Sequence, residues 1–156
     1  MTDREPGDGV RPAVAVALTL VTFIALVVFG LGMASLFTES DVIEAPGFGV
    51  LPGVVGVVVA AAAYAAVTAT ALRTWHPSYF AALWAAISCY LGYVIGVWIA
   101  AVVGGVDPAA ATAAAGRLAI GWWAPIVAAA GFVCAWSAVA LRRTRAQRPR
   151  WPWERD

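Results

Sequence analysis

The sequence predicts an all-α integral membrane protein, a four-helix bundle of up-down-up-down order, and three observations carry that prediction. The 156 residues are 62% hydrophobic and 12% charged, whereas a soluble domain carries about a quarter charged residues. Four apolar stretches, 12–37, 50–72, 79–104 and 118–141, each reach the ~20 residues that a helix needs to cross hydrocarbon. The basic residues, all arginine, are distributed unequally. Arg4 and Arg11 precede the first stretch, Arg73 follows the second, and Arg142, Arg143, Arg145, Arg148, Arg150 and Arg155 follow the fourth, against Arg117 alone on the other side. Because arginine is retained on the cytoplasmic side, this bias predicts a multi-pass protein of the cell membrane with both termini in the cytoplasm.

Residues 1–11 mix acids, arginines and glycines and are expected to form a flexible cytoplasmic tail. The first span then runs without a charge from 12 to 37, too long for the core of a signal peptide, and is expected to remain as an uncleaved anchor. Glu39, Asp41 and Glu44 follow in a loop without arginine. A calcium loop needs further ligands and a turn glycine at set positions, so these acids mainly report an outer loop.

The second span, 50–72, holds the run Ala60–Ala66, broken only by Tyr64. Alanine lets helix backbones approach, which predicts helix contacts around much of this span's circumference. The Tyr64 hydroxyl is expected to find Thr68 one turn on, a carbonyl, or a polar group of another helix. Arg73 to Pro77 form a tight turn in which Trp75 is an interface anchor. His76, the only histidine, has no carboxylate or second histidine nearby in sequence and reads as a solvated loop residue.

The third span, 79–104, carries the row Ser88, Gly92, Gly96, Ala100 and Gly104, spaced by four. On a helix such a row is one slowly winding stripe with almost no side chain. It is expected to be the closest packing surface of the protein, met either by another helix or by another chain. The opposite face, Ile87, Tyr90, Val94 and Trp98, is bulky and suits lipid or a looser contact.

Asp107 and Pro108 make a helix start, an N-cap acid followed by proline at the first helical position. From there the pattern continues to about Arg145, longer than the hydrocarbon requires. The expected arrangement extends the fourth span, 118–141, outward from 108. It places Arg117 at the outer interface or, as a possible functional charge, inside the bundle. Trp122 and Trp123 form an aromatic belt, and Gly116, Gly121 and Pro125 allow a bend. The tail 142–156, with Arg142, Arg143, Arg145, Arg148, Arg150, Trp151 and Trp153, is expected to lie on anionic lipid at the cytoplasmic face, at ~1 kcal/mol per basic residue.

Asp, Glu, Lys and His are missing from the spans, which removes the titratable relays of proton-coupled transporters. Four-helix multidrug exporters carry a glutamate in their first span, where this chain has Thr19 and Thr22. Cys89 and Cys134 lack metal or redox spacing and read as small apolar fillers. Ser88 and Ser137 have no base within the membrane, so no catalytic residue, cofactor or metal is expected and the chain is not expected to be an enzyme. No nucleic-acid partner is expected.

The function expected is that of an accessory or scaffold subunit. It would act through helix packing and its basic tail, and bind another membrane protein or a second copy through the third span. The alternative is a small oligomeric transporter or channel-like protein for an uncharged solute or lipid, with a path along Tyr64, Thr68, Ser88, Tyr90 and Tyr93. A wetted cavity inside the bundle would favour the transporter; a small-residue row met by another chain would favour the subunit.

Overall fold

A computed structural model of the chain describes residues 12–38, 51–73 and 78–143. Among these residues every regular element is a helix: α1 (Pro12–Thr38), α2 (Leu51–Arg73), α3 (Phe80–Val103), α4 (Pro108–Ile120) and α5 (Trp123–Arg143). Four of them are long and apolar enough to cross a membrane, α5 over Trp123–Leu141. The fold is all-α, with boundaries for the first three spans within a residue of those expected. Trp75, Arg145, Arg148, Arg150, Trp151, Trp153 and the acidic loop lie outside the described residues.

The fourth span differs. In place of one helix from 108 there are two, separated at Gly121 and Trp122, so Leu118 belongs to α4 and the span begins at Trp123. The cause lies in Pro125, which has no N–H to donate and whose ring clashes with the carbonyl four residues back, that of Gly121. Gly121 accordingly leaves the helical region with ψ −177°. In the first turn of α5 the missing proline donor costs nothing, because those N–H groups have no helical acceptor. Gly116 takes no part in the break and sits inside α4, exposed.

Asp107 caps α4 as the sequence implies. Its Oδ2 accepts from the amides of Ala109 at 3.0 Å and Ala110 at 3.1 Å. With 13 residues, α4 is ~20 Å long and too short to span. It lies along the second half of α3, where Ala101, Ala111 and Ala114 form a small apolar cluster.

Buried positions on α1 are Ala15, Thr19, Phe23 and Val27, and on α2 Pro52, Gly56, Ala60, Tyr64, Thr68 and Leu72. Both rows step by four, one slowly winding stripe per helix. The opposite row of α2, Val54, Val58, Ala62, Ala66 and Thr70, is exposed. The positions flanking the buried row, Ala61, Ala63, Ala65, Val67, Ala69 and Ala71 among them, are half-buried, so α2 meets its neighbours around much of its circumference, as expected, and opens along one row, where Ala62 and Ala66 are its exposed alanines. The most extensive contact joins α2 to α3, followed by α3 to α5 and α1 to α5.

Candidate functional site

The row on α3 is divided among several environments. Gly96 is buried and Gly92 half-buried, and both face α2. A Cβ built on Gly96 falls 2.9 Å from Gly56 Cα and 3.0 Å from Val59 Cβ, and one on Gly92 falls 3.3 Å from Ala60 Cα. Gly56 answers from α2, where an added Cβ meets Val97 Cγ2 at 2.6 Å and the Tyr93 carbonyl oxygen at 3.0 Å. Small residues on both helices therefore bring the two backbones together. A helix of the same chain occupies this part of the row.

The remaining members lie elsewhere. Ala100 is half-buried, and Gly104 is the exposed C-cap of α3, its amide bonded to Ala100 O at 2.9 Å. Gly104 closes the helix and does not pack against another, a correction to its place in the row. The next residue, Gly105, takes φ 87°, a left-handed conformation open to glycine at little cost. The buried centre of α3 runs beside the row, through Ala85, Cys89, Tyr93 and Val97. Spacing alone could not find it, since small residues mark where backbones can approach and large ones fill what remains.

Ser88 is half-buried at the edge of the α2–α3 pair. With Val67, Thr70, Ala71, Ala81 and Trp84 it lines an open groove of about 420 Å³. Its hydroxyl makes no hydrogen bond among the described residues. Ser137, by contrast, donates to Val133 O at 2.8 Å. Trp84, at the rim, is 64% exposed.

The face expected to be loose holds α4. Tyr90 Oη donates to Ala119 O at 2.9 Å, and Trp98 Nε1 donates to Thr112 Oγ1 at 3.1 Å. Ala119 is in the last turn of α4, whose carbonyls have no helical donor, so Tyr90 supplies a cap from another helix. Tyr90→Phe is expected to cost about 1 kcal/mol. Its signature is faster amide exchange in α4 with α2 and α3 unchanged; unchanged exchange in α4 would remove the capping role.

Arg117 is exposed on α4 and outside the packed interior. Among the described residues its guanidinium forms no ion pair, and Asp107 is committed to its cap. Trp122 is 78% exposed, while Trp123 packs against the core. An aromatic group that the sequence did not single out joins Trp136 edge-on to Tyr79 and Phe132, with centroids 5.8 and 5.6 Å apart. Arg142 and Arg143 end α5.

Inside, the ring of Tyr64 stacks on Phe23 with centroids 4.9 Å apart. Thr19 and Thr68 flank its hydroxyl, but neither reaches hydrogen-bonding geometry. Tyr64 Oη, Thr68 Oγ1 and Tyr93 Oη are buried without a partner, which departs from the bond expected for Tyr64. Cys89 and Cys134 are buried free thiols, and Cys89 Sγ lies 3.8 Å from Ala60 O. Among the described residues no three His, Cys, Asp or Glu gather as metal ligands.

Among the described residues these are the features of an all-helical membrane protein, with four helices long and apolar enough to span and a shorter fifth. Residues 8–156 match the family of unknown function DUF6121, and the chain belongs to that family. No curated protein and no solved structure matches it.

Proposed function

We propose that this chain is a non-enzymatic accessory or scaffold subunit of the cell membrane. Because α2 of the same chain already covers Gly92 and Gly96, that part of the row is not what a partner meets there; the chain joins another membrane protein, or a second copy of itself, through the outer side of the third span at Ser88. Both termini are cytoplasmic, and the arginine and tryptophan tail rests on anionic lipid. One observation carries the reading: the Ser88 hydroxyl, half-buried in a groove beside Trp84 and unbonded to its own helix. In hydrocarbon a serine normally satisfies itself on its own helix or binds across to a neighbouring one. A helix laid in this groove would take the hydroxyl and cover Trp84.

The polar residues of a transport path support this reading over passage of a solute. Tyr90 gives its hydroxyl to α4, Ser88 looks outward, and Tyr64, Thr68 and Tyr93 are buried among packed side chains. They do not line one channel.

A photoreactive residue placed at 88 in native membranes is expected to give a discrete adduct with a second polypeptide. One placed at Val133, exposed on α5, is expected to give lipid adducts only. Lipid adducts alone at both positions, or equal protein adducts at both, would overturn the assignment of this face.

A further inference from the structure

The buried rows of α1 and α2 change character at the same level. On α1 the sequence of buried positions is Ala15, Thr19, Phe23, and on α2 it is Tyr64, Thr68, Leu72. Phe23 and Tyr64 belong to the main apolar cluster, with Cys134 and Ala135 of α5. Ala15 and Leu72 belong to a separate cluster, with Ala138 and Val139. The apolar core is thus interrupted, and the interruption contains Thr19 and Thr68. On α5 the same step falls between Ala135 and Ala138, whose methyl side chains fill little space.

The hydroxyls in this layer are sealed from the surface: Tyr64 is 0%, Thr68 2% and Thr19 5% exposed. Among the described residues, Thr19, Thr22, Thr38, Thr70 and Thr112 each donate to the carbonyl four residues earlier. Thr68 does not. Its Oγ1 and Tyr64 Oη have no partner. Thr19 has spent its proton on Ala15 O at 2.8 Å and keeps lone pairs to accept with. Donors on α2 thus stand beside an acceptor on α1, short of hydrogen-bond geometry and without any charge. Groups left so within hydrocarbon cost several kcal/mol each.

We propose that Thr19, Tyr64 and Thr68 bind one small uncharged molecule of the size and hydrogen-bonding capacity of water. It accepts from Tyr64 and Thr68, donates to Thr19, and ties α1 to α2. A buried water makes about three such bonds, the number available here. An ion has no counter-charge in the layer and is not the ligand.

The test uses the full chain, isotope-labelled, in phospholipid bilayers, with water itself as the probe. Solid-state NMR magnetisation is started on water and detected on side-chain carbons. Transfer to Tyr64 and Thr68 is expected, with none to Phe23 and Leu72 on either side. Tyr64→Phe keeps the stack on Phe23 and removes one ligand; Thr68→Val keeps the shape and removes another. In each variant, transfer to the remaining partner is expected to be lost. Absence of transfer in the unaltered chain would overturn the proposal and leave a dry layer of directly bonded hydroxyls. Equal transfer to Phe23 and Leu72 would also overturn it, since the bundle would then be open to solvent. Unchanged transfer in both variants would remove these residues as the ligands.

Discussion

Gly96→Ile is expected to destabilise the protein by ~3 kcal/mol or more, the upper range for forcing atoms into a filled interior. The first added carbon already lies 2.9 Å from Gly56 Cα. Backbone cannot rotate aside as a side chain can, so α2 and α3 must separate along the most extensive contact in the molecule. The distances also rank milder changes. Gly96→Ala meets the same Cα and should cost less than Ile, because it adds one carbon. Gly92→Ala meets Ala60 Cα at 3.3 Å and should cost less again. Gly32→Ala meets nothing within 4 Å and should be neutral. Thermal melting in one detergent gives the order directly. A Gly96→Ile protein melting with the wild type would show that α2 does not close on this face.

Gly131→Ala on α5 is expected to lose about 1–3 kcal/mol and to regain much of it when Cys89→Ala is added. The new methyl carbon sits 2.8 Å from Cys89 Sγ and 3.2 Å from Cys89 Cβ, with the Ala85 carbonyl oxygen next at 3.6 Å. The obstruction is therefore mainly a single sulfur atom. Removing the sulfur lifts the closest contact, although the Cβ still has to yield by a few tenths of an ångström. Cys89→Ala alone should be destabilising, because it leaves a gap and removes the weak thiol contact with Ala60 O. The double variant should thus be more stable than the two losses summed, a coupling that a double-mutant cycle measures. Strict additivity would place Cys89 Sγ away from α5.

Span number and extent could be read from the sequence because hydrocarbon thickness imposes them on the apolar runs. The Asp107 cap was also legible, since an acid before proline has a local reason to start a helix. Facing was harder. Where side chains are apolar all round, no polar side distinguishes lipid from protein, and the stripe marked by Gly92 and Gly96 stands next to the true centre at Cys89, Tyr93 and Val97. The break at Gly121 was visible as a possibility through Pro125, but whether it bends or splits the helix depends on how α4 seats against Trp98 and Tyr90. The layer at Thr19 and Thr68 was beyond reach, because it requires knowing which turns of two different helices share a level.

The contact of α1 with α5 bears on biosynthesis. An added Cβ on Gly30 meets Ile126 Cγ2 at 2.7 Å, so the first and last spans are fitted closely to each other. Helices enter the membrane in the order they are translated, and α2 can pair with α3 as soon as both have emerged. Meanwhile α1 has only its smaller contact with α2, through Phe23 and Tyr64, while its more extensive partner is still unmade through roughly half the chain. The bundle closes only once α5 has emerged, and a ribosome that stopped before Ile126 would release a protein whose first helix holds to α2 alone.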